Sequence, residues 1–458
     1  MESPEITGRI GNRGDLTKGS IVKNIWRLAF PLIVGNLLND AFNFIDMLFV
    51  GKLGPASIAA VAMSGVVVGI MIIAAIGIGA GAMAMVARFV GAKEFEKADH
   101  TTVQSLFMGI AYSIALALIG PPLSSPLLKI LGAQPDVVLL GASYLKIVFV
   151  GSFTIFVFVL LASSLRGAGD ALTPTKALAL ATFLNVALDP LFIFGIWKFP
   201  RMGVAGSSLA TVISRGCGMV YLLHVFFTKK SVLHLNLKKL KPDFSVMYRI
   251  IKIGIFSSLE MLTWNMSGLI MMRIVAIYGT FVVAAYGIGM RMSNIILMPG
   301  FGIGQAAATL VGQNLGARKP DRAEKSAWLS VGFYQVIMVC GTIVFLLFSP
   351  QLISLFSTDS EVIQVGTDFL HLLSLGFIFM AFSTVLARAM AGAGDTLTPM
   401  VISGICLFGI RIPLSVFLSQ GMNLAARGVW LGILISSIAR GLIIAFWFGR
   451  GKWKYKMV

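Results

Sequence analysis

Residues 167–174 read GAGDALTP, and the same motif returns as GAGDTLTP at residues 392–399, an offset of 225 positions. A second loop repeats at that offset, because Gly91-Ala92-Lys93 returns as Gly316-Ala317-Arg318. Two separate loops that share one offset indicate duplication of a half rather than chance similarity.

Between these loops the chain is dominated by apolar runs. Of 458 residues, 57% are hydrophobic and only 12% are charged, which excludes a soluble globular domain. Runs of about twenty apolar residues are long enough to cross a hydrocarbon core of about 30 Å as helices. The predicted spans are residues 25–50, 56–86, 103–120, 138–164, 177–197, 205–227, 250–278, 282–312, 326–348, 364–387, 400–419 and 428–448.

The fold class that follows is an all-α polytopic membrane protein with twelve transmembrane helices in two six-helix lobes. Each copy holds an even number of spans, so a pseudo-two-fold axis along the membrane normal should relate the lobes. The predicted organisation is a cytoplasmic N-terminal segment 1–24, an amino-terminal lobe 25–227, a cytoplasmic linker 228–249, a carboxy-terminal lobe 250–448 and a cytoplasmic tail 449–458.

The net charge of +18 follows loop parity and does not form one patch. Lys and Arg number 25 on the side of the N-terminus and five on the opposite side, a strong positive-inside pattern. We therefore expect both termini in the cytoplasm, a multi-pass location in the plasma membrane and no nucleic-acid partner. The basic linker would lie along anionic headgroups, although a plain solvated loop fits equally well.

The first span carries a polar face. An arc of about 120° contains Asn36, Asn39, Asp40, Asn43 and Asp46. Ionisable groups inside hydrocarbon cost several kcal/mol, so this face should point at a water-filled cavity or an ion site, the alternative being a structural stripe between helices. The presence of two carboxylates favours the first reading, and the first four residues are candidates for a substrate cavity.

The fifth span holds a second carboxylate. Asn185 and Asp189 share one helix face, and Pro190 frees the carbonyl of Val186 because proline has no N–H. These oxygens suit a proton or a hard cation, whereas a simple kink is the open alternative. Asp46 and Asp189 both lie in the outer half of the membrane, so on neighbouring helices they would share a proton or cation.

Two further residues stand out. Pro31 should kink the first span and act as a hinge. Glu260 is a buried carboxylate of the other half and a candidate for the substrate cavity. Its nearest cationic candidates are Arg273 and Arg291, so an ion pair and a coupling role both remain open.

Taken together, the motifs resemble those of the MATE (multidrug and toxic compound extrusion) transporters over essentially the whole chain. The matching stretches are FPLI at 30–33, IDMLFVG at 45–51, RGAGD at 166–170, NVALDP at 185–190, SSLAT at 207–211 and VGQNLGA at 311–317. The resemblance implies a two-lobed antiporter that expels organic, often cationic and lipophilic, compounds in exchange for H⁺ or Na⁺.

In the branch of that family with its cation site in the amino-terminal lobe, the coupling residues fall on Asp46, Asn185, Asp189 and Thr211, with Ser207 lending its backbone carbonyl. The first four would also be the ligands of a bound Na⁺. A second branch uses acidic residues of the other lobe.

For that second branch, Glu260 matches one acidic position, but the tenth span offers only Asp368 near its outer end. The carboxy-lobe site is therefore incomplete, which favours the amino-lobe mechanism.

Other functional classes fit less well. The four histidines are scattered, and no phosphate-binding loop is present, so we expect neither an enzyme nor direct ATP drive. A lipid-linked saccharide flippase of related two-lobed architecture is the alternative, and it would favour a cationic cavity. We expect no cofactor beyond H⁺ or Na⁺ as coupling ion, small organic substrates, the lipid bilayer as surroundings and a monomer.

Overall fold

The computed structural model describes residues 15–228, 231–235 and 241–456. Most of the predicted N-terminal segment, the linker lysines at 229, 230, 238 and 239 and the last two residues of the predicted tail lie outside these ranges. The described chain forms twelve long helices: α1 Ile21–Gly51, α2 Pro55–Gly91, α3 Phe95–Ile130, α4 Pro135–Gly167, α5 Leu172–Phe194, α6 Val204–Phe227, α7 Phe244–Ala276, α8 Thr280–Gly316, α9 Pro320–Ser354, α10 Ser360–Gly392, α11 Leu397–Gly421 and α12 Ala425–Gly449.

Each predicted span overlaps one of these helices, so the all-α, twelve-helix prediction is confirmed for the described residues. Eleven of the helices are long and apolar enough to cross a membrane. The remaining helix, α7, has 33 residues but is more polar, with Glu260 and Asn265 near its middle. The chain is therefore a multi-pass membrane protein.

Helix α11 is not a uniform α-helix. Its α-helical parts, Leu397–Gly404 and Ile412–Val416, alternate with π-helical segments Ile405–Arg411 and Phe417–Gly421. The wider π-helical turn is rare and frequently occurs at functional sites. Nothing in the apolar sequence of this span predicted it.

The duplicated halves repeat one packing scheme. In the first half α2 packs on α3 and α4, α4 packs on α3 and α6, and α5 packs on α6. In the second half α8 packs on α9 and α10, α10 packs on α9 and α12, and the segments of α11 pack on α12. This one-to-one correspondence is what a duplication predicts.

The repeated GAGD loops have the same local structure, which explains their sequence. Gly169 and Gly394 adopt φ of 88° and 91°, a region that favours glycine. The following Asp170 accepts from the backbone N–H of Thr173 at 3.0 Å and from its hydroxyl at 2.7 Å. In the second copy the hydroxyl of Thr398 likewise donates to the equivalent aspartate.

The described residues divide into two compact units, a first containing residues 15–16 with Val34–Ile255 and a second containing Thr17–Ile33 with residues 256–456. The predicted lobes began at residues 25 and 250 and do not follow this division, because the first helix of each half starts in the other unit. In the second unit the ring of Trp26 lies 5.4 Å from that of Phe333.

In the first unit the start of α7 approaches α2 closely, with Gly81 against the carbonyl of Ile250. Small residues at such contacts let two helix backbones meet.

The described part of the linker is fixed to the first unit. Val232 and Leu233 are buried in its core, and the backbone N–H of His234 donates to Asp99 at 2.8 Å. The carboxylate of Asp243, just before α7, lies 3.1 Å from Nε2 of His100. This hydrogen bond, together with that from the N–H of Val246, holds the pKa of Asp243 below its ordinary value.

Candidate functional site

The polar face of α1 ends in a buried carboxylate. Asp46 is 8% exposed, and the hydroxyl of Ser207 donates to its Oδ1 at 2.5 Å. Ser207 is fully buried in the first turn of α6, where the helix dipole stabilises a nearby negative charge. The resemblance suggested the backbone carbonyl of Ser207, whereas in the structure its side-chain hydroxyl makes the contact.

Helix α5 contributes a second set of oxygens. Nδ2 of Asn185 donates to Oδ1 of Asp189 at 3.2 Å, and both residues are fully buried. Their remaining oxygens, Asn185 Oδ1 and Asp189 Oδ2, have no hydrogen-bond partner in the described chain, and neither does the hydroxyl of Thr182 one turn earlier. Buried polar atoms without partners are costly unless a ligand or a proton satisfies them.

The two carboxylates meet. Asp46 and Asp189 are within hydrogen-bonding reach of each other. Tyr144 of α4 is close enough to interact electrostatically with both carboxylates. The ends of α1 and α5 pack through Phe49 and Phe194, whose ring centroids are 6.5 Å apart. The result is a paired acidic site beside apolar side chains.

Thr211 is not part of this cluster. It is half-buried one turn beyond Ser207 on α6, and no hydrogen bond joins it to Asp46, Asn185 or Asp189 in the described chain. No group of three or more His, Cys, Asp or Glu side chains with metal-ligand geometry occurs among residues 15–228, 231–235 and 241–456. A cation at this site would therefore use two carboxylates and neutral oxygens.

The middle of the polar face has a different environment from Asp46. Asn36 and Asn39 are half-buried, whereas Asp40 and Asn43 are exposed. Nη2 of Arg215 donates to Oδ1 of Asn39 at 2.9 Å. The candidate cavity residues of α1 therefore stay accessible, while the carboxylate at the helix end is enclosed.

Neither cationic candidate for Glu260, Arg273 or Arg291, forms its ion pair. Its Oε1 lies 3.2 Å from Nη2 of Arg440 and accepts from Ser403 at 2.9 Å. Arg440 lies on α12, 180 residues after Glu260, whereas Arg273 and Arg291 are the cationic candidates nearest to Glu260 in the sequence. Glu260 thus belongs to an ion pair of the second unit.

Asp368 and Pro31, the other candidates, have simpler surroundings. Asp368 pairs with the exposed Arg427 at 2.7 Å. Pro31 lies inside α1, which continues through it as a helix. It is three residues before Val34, where α1 passes from the second unit to the first.

Two residues of the site were missed from sequence. Thr182 lies three residues before Asn185 and so on the same face of α5, a spacing that could have identified it from the sequence. Tyr144 is a single aromatic in an apolar span, which carries no signal by itself.

Comparisons with known proteins give one consistent answer. The MatE family model matches residues 31–191 and 257–417, one match in each duplicated half. The chain is 27% identical over 448 residues to the probable multidrug resistance protein YoeA of Bacillus subtilis strain 168, covering 96% of both chains.

It is also 29% identical over 442 residues to the probable multidrug resistance protein NorM of Thermotoga maritima, covering 96% of this chain and 94% of that one. The crystal structure of MATE in the bent conformation superposes with a TM-score of 0.89 at 24% identity, covering 98% and 97% of the two chains. With the family matched over most of its length, the chain belongs to the MatE family of membrane transporters and is not an enzyme.

Proposed function

We propose that this transporter exports organic compounds, chiefly cationic and lipophilic ones, in exchange for H⁺ or Na⁺ by alternating access. The observation that carries the proposal is the contact between the buried carboxylates of Asp46 and Asp189 on two different helices. No further cofactor is required.

The chemistry of the pair favours uptake of a cation. Two unit charges about 4 Å apart repel by about 4 kcal/mol at an effective dielectric constant of about 20. A proton or a metal cation removes this repulsion. The free oxygens of Asn185 and Thr182 add neutral ligands that suit Na⁺ as well as H⁺.

The relatives support export of drugs. YoeA and NorM are both described as probable multidrug resistance proteins, and both align over nearly their whole lengths. The acidic pair argues against the flippase alternative, because an anionic lipid headgroup would be repelled by two carboxylates. We further propose a monomer in the plasma membrane with both termini in the cytoplasm.

The proposed coupling step begins at the acidic pair. A cation at the pair cancels the charge that holds the hydroxyl of Ser207 against Asp46. Helix α1 is then free to bend near Pro31, which contributes no backbone N–H to the helix. The bend alters the accessible middle of α1, where Asn36, Asn39, Asp40 and Asn43 lie, and substrate leaves.

The test is efflux of a fluorescent lipophilic cation from energised everted vesicles. Asp46→Asn preserves shape but removes the charge, so coupled efflux should fall to the background of empty vesicles. The matched control is Asp368→Asn, which loses only a surface ion pair and should transport like the wild type. Full coupled efflux by Asp46→Asn at equal expression would overturn the proposal.

A further inference from the structure

An arginine within a membrane span occupies the same place in both duplicated halves. Arg215 of α6 and Arg440 of α12 are separated by the 225-residue offset of the duplication. Their contacts correspond as well: Arg215 meets Asn39 and Phe158, and Arg440 meets Trp264 and Ser383, the residues 225 positions further on. The arginine is therefore a shared feature of the two copies.

The second copy adds another arginine to this place. The guanidinium carbons of Arg440 and Arg411 lie 4.6 and 5.5 Å from the centroid of the Trp264 ring. A single carboxylate, Glu260, reaches this group, and it pairs with Arg440. Two guanidinium groups therefore lie against one indole, and of the two only Arg440 has a carboxylate partner.

Arg411 keeps most of its hydrogen-bonding capacity. Its Nε donates to the hydroxyl of Ser436 at 3.0 Å, and within the described chain its two terminal nitrogens have neither a hydrogen bond nor an ion pair. The side chain is half-buried, as is Trp264, so both are reachable. Arg411 also ends the π-helical segment Ile405–Arg411, a conformation that is frequent at functional sites.

A purely structural role leaves this arrangement unexplained. A charged side chain within a membrane span is expensive and normally pairs with an opposite charge or faces a functional cavity. The cation–π contact with Trp264 offsets only part of that penalty. No carboxylate of the described chain forms an ion pair with Arg411, and its neighbour on the Trp264 ring, Arg440, is also positively charged.

We propose that Arg411, together with Arg440 and Trp264, binds within the second unit the carboxylate of aromatic zwitterions, substrates that carry a carboxylate in addition to the cationic group of the exported compounds. The planar guanidinium presents two parallel N–H donors that match a carboxylate, and an indole stacks on an aromatic ring. The positive charge of Arg411, which has no carboxylate partner in the described chain, matches a single carboxylate better than a doubly charged phosphate. The inference rests on the proposed export function, because it assigns a recognition site for the exported compound.

The test is equilibrium binding to the purified full-length protein in lipid nanodiscs, read by fluorescence anisotropy against empty nanodiscs. The probes are rhodamine B, which carries a free carboxylate at neutral pH, and its ethyl ester, which has the same ring system without that charge. Arg411→Gln should weaken rhodamine B about tenfold or more, as expected for a lost charge-assisted pair, and leave the ester unchanged. The matched control Arg427→Gln removes an exposed arginine of the same unit and should change neither affinity.

Equal affinities of Arg411→Gln and wild type for rhodamine B, or equal losses for acid and ester, would overturn the inference. If Arg411→Gln fails to fold, Arg411→Lys decides, because it keeps the charge but lacks the two-pronged donor. It should bind rhodamine B several-fold more weakly and the ester normally, and wild-type binding of the acid would contradict the site. Equilibrium binding requires no cation gradient. The binding result can therefore be interpreted even if the antiport proposal fails.

Discussion

Replacing Asp189 by asparagine should nearly abolish binding of the coupling cation while leaving the fold intact. The amide has the size of the carboxylate and keeps an oxygen beside Asn185, but it carries no charge. Asp46 then has no second carboxylate beside it and keeps its hydrogen bond from Ser207.

The expected size of the effect follows from the charge pair. In the wild type a bound cation relieves about 4 kcal/mol of repulsion at a separation of about 4 Å and an effective dielectric constant of about 20. Since about 1.4 kcal/mol corresponds to a factor of ten, Asp189→Asn should weaken cation binding by roughly a thousandfold. Coupled transport should fall accordingly.

The assay is cation uptake by purified protein, followed with a pH indicator for H⁺ and with radioactive Na⁺ for sodium. Asp368→Asn serves as the control, since that carboxylate pairs with an exposed arginine. If Asp189→Asn binds the coupling cation as tightly as the wild type, the two carboxylates do not act as a pair and the reasoning is wrong.

Three other changes test separate parts of the structure. Ser207→Ala removes a charge-assisted hydrogen bond worth about 1.5–3 kcal/mol, so the site should hold its cation about tenfold more tightly and turn over more slowly, and unchanged cation affinity would contradict the contact. Gly392→Ala places a methyl group against a neighbouring backbone carbonyl and should lower stability by about 1–3 kcal/mol in thermal unfolding, whereas Gly404→Ala, with open space around it, should not. The lowered pKa of Asp243 stabilises the start of α7 above about pH 4, and that stabilisation is lost as the pH falls through the lowered value. His100→Ala should therefore release the linker to protease at a higher pH than in the wild type, and identical pH profiles would contradict the link.

Much of the fold was predictable because its signals are local. Apolar run lengths located the twelve helices, and the repeated loop motif revealed the duplication that the packing repeats. The positions of Asp46 on α1 and Asp189 on α5 could also be read from local signals, because each lies on one face of its helix at a similar depth in the membrane. Whether the two helices were neighbours was not contained in those patterns.

What escaped prediction depends on contacts between distant parts of the chain. The partner of Glu260 is Arg440, and the choice among several intramembrane arginines is made by helix packing rather than by spacing. The π-helical turns of α11 leave no trace in an apolar sequence. Thr211 remains a predicted coupling residue, although no hydrogen bond of the described chain joins it to the acidic pair. The hinge at Pro31 likewise remains a prediction.

The central claim is that the transporter exchanges organic cargo for H⁺ or Na⁺ through the paired carboxylates. The most direct measurement is transport of a fluorescent cation in proteoliposomes with H⁺ and Na⁺ gradients imposed separately, for the wild type and for Asp46→Asn. We predict that one gradient drives transport by the wild type and neither drives it in the variant. Transport that ignores both gradients, or that survives the substitution undiminished, would contradict the account.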